Sequence, residues 1–484
     1  MLWLDTRRIV WFLGLAAAVA ALAQVLLHAD FLVLLLALVS ITCGLYGFWL
    51  FGVFNLAGWA CLFYMAGNVL IAFYAKTVLL QPLNSNLVVP LSSFWVQAVC
   101  CFAMFVALIL AHWIDVGKPL IPPITDLTVL RLLSIWCLII GCVLKVVMII
   151  AGRGGSQQDI GGLTVFSNLL YLGIIARTAL VMLRSDGKRL LDLPLIVILA
   201  GVTASGVLST GKGETAYPAV CFVLTVLFFK GRLPWRYVAG LVGGIVLYLT
   251  ITPLMLTFRY MGLGTMSLSK EIEVIETIGP TLLNGDVYEM LATAHTHTKR
   301  FAYDYYGGNG KGQLILGRFS SIQQIDPVIS ATQIRGTLGR EIILDGFRAN
   351  TPKVLISNKP SEITGFTVIK SLGVHEGGGT HPTVPLAAIV YAAYGMMGII
   401  FIPLATFLAY LLVLKKTCWD IRGNIFAIFL LGVQVIGIHA AEFRHFAGFV
   451  MRDLPIQVIT VLLMQKLAVF MTRRHVEFVS ALVK

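Results

Sequence analysis

Charge is scarce in this chain. Only 12% of its 484 residues are Asp, Glu, Lys or Arg, against 58% hydrophobic, and the mean hydropathy is +0.88. No soluble domain hides that much apolar surface, so the composition excludes a soluble enzyme and predicts an all-α polytopic membrane protein. Cysteine builds no framework: seven of the eight fall inside apolar blocks, Cys418 is the exception, and the long hydrophilic stretch holds none. Disulfide scaffolding and C-x-x-C metal spacing are therefore both missing. The apolar run after Arg7-Arg8 lacks a small-residue cleavage site, which makes it a first span and not a removed signal. Internal repeats are absent too. The net charge of +13 has to be counted by side of the membrane, and it is not read as a nucleic-acid footprint.

What is present is a series of apolar blocks. A hydrocarbon core of about 30 Å takes about 20 apolar residues per helix. That ruler predicts twelve spans, near 9–27, 31–53, 56–75, 94–114, 131–151, 161–183, 193–210, 215–229, 237–258, 385–413, 423–441 and 454–471. The break between the second and third rests on Gly52, Asn55 and Gly58 alone. With the N-terminus inside, the basic residues Arg7, Arg8, Lys118, Arg184, Lys188, Arg189, Lys230, Arg232, Arg236, Lys415, Lys416, Arg422, Arg473 and Arg474 all fall on the cytoplasmic side. Both termini are then cytoplasmic. Residues 1–258 form spans one to nine, 259–384 a large, mostly helical extracytoplasmic loop, and 385–484 spans ten to twelve with the C-terminus. Within the loop, helical spacing runs over 267–277, 285–305 and 318–334, the last despite Pro327. Short outer loops are expected at 152–160, 211–214 and 442–453.

Several residues in this layout carry candidate chemistry. The stretch from Gly206 to Gly213 fits G-x-x-x-x-G-K, but Gly213 stands where a magnesium-binding Ser or Thr belongs and no strand precedes it. A nucleotide site is excluded on that context. Lys212 and Glu214 remain, either as an interfacial turn or as part of a site at the outer mouth. Arg153, Lys212, Arg259, Arg335, Arg340, Arg444 and Arg452 lie on the outer side, against the usual sign bias. Each can snorkel or pair with Asp159, Glu341, Asp345, Glu442 or Asp453, and as a set they suit a lipid-linked phosphate or pyrophosphate. His295 and His297 are two apart and share no helix face. His439 and His445 flank Glu442 and Arg444, as a polar network or a catalytic one. His381 follows three glycines and precedes Pro382 at the entry to span ten: a side chain aimed at substrate, or a plain loop tip before a helix start.

These residues carry a resemblance. Gly378-Gly379-Thr380-His381-Pro382, followed by Tyr394-Gly395-Met396-Met397-Gly398, resembles the segment of bacterial O-antigen polymerases and ligases in which a loop His precedes a helix with a G-x-x-G-like step. Ser357-Asn358-Lys359-Pro360 is similar to the Lys-Pro run of repeat-unit polymerases, and Arg335 to Gly346 matches their Arg-x10-Gly spacing. Lys212 stands where the family often carries Arg, and the His-centred step is more typical of ligases.

The resemblance implies a glycosyltransferase of the bacterial inner membrane acting on polyprenyl pyrophosphate-linked oligosaccharides, without cofactor or essential metal. His381 would be the general base, with Glu376 and Glu214 as second choices, and Arg259, Arg335, Arg340 and Lys212 would hold pyrophosphate. A chain-length regulator is a possible partner. A transporter of lipid-linked sugars is the rival class, expected to show repeated halves and broken helices.

Overall fold

The structure, a computed structural model, describes residues 2–3, 5–152, 165–208, 212–235, 237, 273, 276, 305–306, 320–351, 355–356, 364–374 and 384–482. The first helices in chain order are α1 (Thr6–Leu26), α2 (Phe31–Phe51), α3 (Leu56–Val78), α4 (Pro90–Trp113), α5 (Leu127–Met148) and α6 (Val165–Arg184). Next come α7 (Leu193–Leu208), α8 (Lys212–Lys230), α9 (Ile322–Arg335), α10 (Glu341–Asn350) and α11 (Thr364–Ser371). The chain closes with α12 (Leu386–Thr417), α13 (Ile425–Val435) and α14 (Phe443–Thr472). Among the described residues, eight of these helices are long and apolar enough to cross a membrane: α1 to α6, α12 and α14. The chain is thus a polytopic all-helical membrane protein. Apart from the helices there is one short pairing, β1 (Leu2–Trp3) antiparallel to β2 (Arg232–Leu233).

Local chemistry starts these helices where the sequence turns polar. Asp30 caps α2 by accepting from the amides of Leu32 at 2.8 Å and Val33 at 3.0 Å, and Asn55 caps α3 through Ala57 and Gly58. Helix α4 is capped from outside its own segment. Asp326 of α9 accepts from the amides of Val88 and Val89 and the hydroxyl of Ser93, while Lys415 Nζ donates to the carbonyls of Ala111, His112 and Ile114. An acid at the N-terminus and a base at the C-terminus both match the helix dipole.

The helix ends gather at two faces. At the first, β1 meets β2, the amide of Val53 donates to Thr6, and the chain at 54–56 pairs with 419–421. Lys415 and Lys416 hold the 111–118 turn, Lys230 donates to the carbonyl of Gly187, and Arg177 pairs with Asp192. The described basic-rich turns that the charge bias assigns to one side thus meet at one end of the bundle. At the second face lie 27–30, 79–89 and the described parts of the long loop. There Gln24 bonds Thr77 and the carbonyl of Gln81, and Tyr305-Tyr306 fits against 81–86 with Lys76 Nζ 4.2 Å from the Tyr305 ring centroid.

The loop does not sit wholly above the spans. Ser321, at the start of α9, bonds Asn68 Oδ1 at 2.5 Å and the carbonyl of Gly67, both in a π turn (Ala66–Leu70) midway along α3. Helix α9 buries Ile322, Ile325, Val328 and Ile329, which is why this part of an apparently hydrophilic loop is held inside the bundle. Helix α12 folds back in the same way. Its 32 residues break at Gly395, where φ is 63° and ψ is −147°, a conformation open to glycine and closed to most L-residues. A straight helix of that length would put Leu386 about 46 Å from Thr417. Instead the Leu386 amide bonds the carbonyl of Ala441, two residues from His439, whose ring packs on Gly67 at mid-α3. The stretch before Gly395 therefore lies alongside the spans. The break frees the carbonyls of Ala392 and Ala393, and they accept from the amides of Leu338 and Gly339 at 2.8 and 3.0 Å. Backbone freed by such a break is tolerated because protein groups satisfy it.

Three differences from the sequence reading follow. The helix expected over 318–334 begins at Ile322 and runs to Arg335. The short loop expected at 442–453 is helical from Phe443 and lengthens the last span upstream. Where spans seven, eight and eleven are expected, the described residues hold shorter apolar helical stretches, Leu193–Gly206, Ala216–Lys230 and Ile425–Val435. The ninth predicted span lies outside the described residues beyond Tyr237, as do the predicted loop helices over 267–277 and 285–305 apart from Glu273, Glu276 and Tyr305.

Candidate functional site at the second face

The second face is organised by α10, which drops from Arg340 beside the start of α14. Gly346 lets the two helices touch, since a side chain there would come within 2.7 Å of the Phe443 ring. Asn350 locks the crossing by donating to the carbonyls of Gly346 and Arg444. Arg335 ends α9, and Gly346 seats α10 on the last span. Polar groups on α10 satisfy one another, with Arg348 2.9 Å from Glu341 and 3.1 Å from Asp345.

Beside this crossing runs an apolar cleft of about 400 Å³ between α10, α12 and α14. Ile343 and Phe347 wall one side, Phe401 and Ala405 the second, Phe446 and Val450 the third; of the twelve lining residues only Thr406 is polar. Phe401 is 67% exposed, so the cleft is open along its side. Arg340 sits one turn above Ile343 with its side chain 77% exposed and a loose 3.7 Å contact to Glu341. Arg335 is exposed, packs its guanidinium on Gly373 and has no ion-pair partner among the described residues. The docked segment 336–339, between these two arginines, covers the Gly395 break.

A fully buried carboxyl lies at the junction of α11, α12 and α14. Glu442 accepts from the amide of Val384 at 3.3 Å and that of Gly365 at 3.4 Å, and its own amide donates to His445 Nδ1 at 3.3 Å. Burial pushes its carboxyl up to about 7, against the opposing pull of the two amides and of Arg444. A carboxyl titrating near neutrality suits proton transfer or a proton-sensitive contact.

No protein-family profile, curated protein or solved structure matches this chain. The resemblance to O-antigen polymerases accordingly rests on the sequence features given above.

Of the residues singled out by sequence, Arg335 ends α9 and Arg340 precedes α10, both exposed. Arg259, Glu376 and His381 lie outside the described residues. Lys212 and Glu214 open α8 as backbone, and their side chains lie outside the description. No group of metal-ligating side chains occurs among the described residues. Glu442 carried a signal in the sequence, flanked by His439, Arg444 and His445, yet its partners Gly365 and Val384 lie 77 and 58 residues away. Local pattern could not single it out.

Proposed function

We propose that the chain polymerises polyprenyl pyrophosphate-linked oligosaccharide units into a surface polysaccharide at the outer face of a bacterial inner membrane. On this reading the helices form twelve spans with both termini cytoplasmic, and the second face is extracytoplasmic. The observation that carries it is the apolar cleft of about 400 Å³, open along its side beneath Arg340. A long isoprenoid tail fits an apolar groove that opens laterally, and guanidinium groups at the rim bind pyrophosphate oxygens bidentately.

In the reaction, the acceptor hydroxyl attacks the anomeric carbon of the donor sugar while its proton passes to His381. The bond from that carbon to the pyrophosphate oxygen breaks, and the carrier leaves as polyprenyl pyrophosphate with its charge held by Arg335 and Arg340, helped by Arg259 and Lys212. Glu376 and Glu214 stand behind His381 as alternative bases. The arginines supply the charge that a metal would, so chelator leaves the rate unchanged. Deleting the gene tests the reading through the lipid-linked products that accumulate. Single units on the carrier support a polymerase, and full-length polymer held on the carrier points to a ligase-type transfer.

A second reading has its own observation. The break at Gly395 and the re-entry of α9 are features of transporters, which bind substrate at discontinuous helices. Sealed vesicles loaded with lipid-linked units separate the two. A transporter moves units across without lengthening them, whereas a polymerase lengthens them on one side.

A further inference from the structure

We infer that Gly373 is the seat that positions the Arg335 guanidinium at the second face, as a cation site for the oxygens of a pyrophosphate group. That this pyrophosphate belongs to a lipid-linked donor rests on the function proposed above. The seat itself rests on geometry. A Cβ placed on Gly373 would fall on Arg335 Nη1, 2.7 Å from Cζ and 2.8 Å from Nη2, so the guanidinium lies against bare glycine backbone. Gly373 also ends α11. Its φ is +57°, its amide donates to the carbonyl of Lys370 at 2.9 Å, and the Val374 amide donates to that of Ile369 at 2.8 Å. This pair of bonds closes a helix at a left-handed residue, a conformation that costs glycine little. One glycine thus supplies both the turn and the room for the guanidinium. The support beneath it is fixed, because Val368, Ile369 and Leu372 of the same turn are buried.

Electrostatics favour a cation at this point. Arg335 is the last residue of α9 and its side chain reaches the end of α11, so the guanidinium stands at the C-terminal, partly negative ends of two helices. Arg335 is exposed and makes no hydrogen bond or ion pair with the described residues. The group is therefore held in place while its N–H donors stay uncommitted, which suits a planar fork that takes two phosphate oxygens at once. The neighbouring arginines differ. Arg348 donates to Glu341 and Asp345, and Arg340 has only its 3.7 Å contact with Glu341.

Calorimetric binding of inorganic pyrophosphate to the full chain in lipid nanodiscs tests this. Arg335→Ala should weaken binding about tenfold or more, as expected for lost hydrogen bonds to a charged group. Gly373→Asn keeps a residue that tolerates the left-handed turn and puts a Cβ where the guanidinium lies. It should weaken binding about three- to tenfold alone and add nothing in the Arg335→Ala background. Chemical rescue isolates the seat: added guanidinium ion should restore binding to Arg335→Ala and fail with the Arg335→Ala/Gly373→Asn double variant. Phenylglyoxal labelling read by mass spectrometry reports the seat without any ligand. Gly373→Asn should raise the labelling of Arg335 relative to Arg340, and an unchanged ratio would overturn the seat. So would an equal loss of pyrophosphate binding from Gly373→Asn with and without Arg335. A wild type that binds no pyrophosphate, or an Arg335→Ala variant that binds it equally well, overturns the anion site. If pyrophosphate binding responds as expected while a lipid-linked donor is neither bound nor lengthened, the site stands and the polymerase reading is overturned.

Discussion

At the first face, Lys415 and Lys416 donate to five backbone carbonyls of the 111–118 turn, and Lys230 donates to Gly187. At the second face, Arg335 and Arg340 are exposed, a span breaks at glycine, and an apolar cleft lies open beside α10. Both ends are rich in cations, and they use them differently. Lysines that cap carbonyls close one end, because a C-terminal carbonyl left bare at a membrane surface is costly and an ammonium satisfies several at once. Arg335 and Arg340 at the other end have few protein partners among the described residues. Charge content alone thus does not distinguish these two sets of cations; the number of internal partners does.

Substitutions at the second face should break that contrast in graded order. Arg335→Ala and His381→Ala should each cut polymer formation by about 10²-fold or more while protein level stays normal, read as single units left on the carrier. Full-length polymer from both variants would remove them from the site. Gly395→Val forces a β-branched residue into a positive-φ position, and it should cost about 1–3 kcal/mol, seen as a lower melting temperature in detergent together with lost activity. Ala405→Trp fills the cleft between α12 and α14 and should raise KM for the lipid-linked donor about tenfold, with a short-tailed donor analogue affected less. Arg348→Ala removes exposed ion pairs on α10; solvent screening leaves such pairs little weight, so the melting temperature should hardly move.

Much of the architecture was legible in the sequence because hydropathy and chain length act locally. Each apolar block of about 20 residues becomes a helix whatever its neighbours. Asn55 and Gly52 likewise mark the turn between α2 and α3 through their own chemistry. In the long loop, helical spacing over 318–334 was legible, and the helix Ile322–Arg335 lies there. Its burial depends on Ser321 meeting Gly67 and Asn68, across more than 250 positions of chain. The step at Gly395 stood out as a motif, but that it folds the first third of α12 back along the bundle appears only once the freed carbonyls find Leu338 and Gly339.

By itself, then, the sequence determined that this is an all-helical membrane protein, where most of its helices run, and which turns carry the cations, since apolar burial and charge placement are summed residue by residue. Tertiary structure alone decided which cations are tied to carbonyls and which stand free, that α9 and the start of α12 re-enter the bundle, and that Glu442 joins three distant segments. Those outcomes depend on hydrogen-bond partners dozens to hundreds of residues apart. No local pattern encodes such a pairing, because a buried polar group accepts whichever partner the fold brings to it.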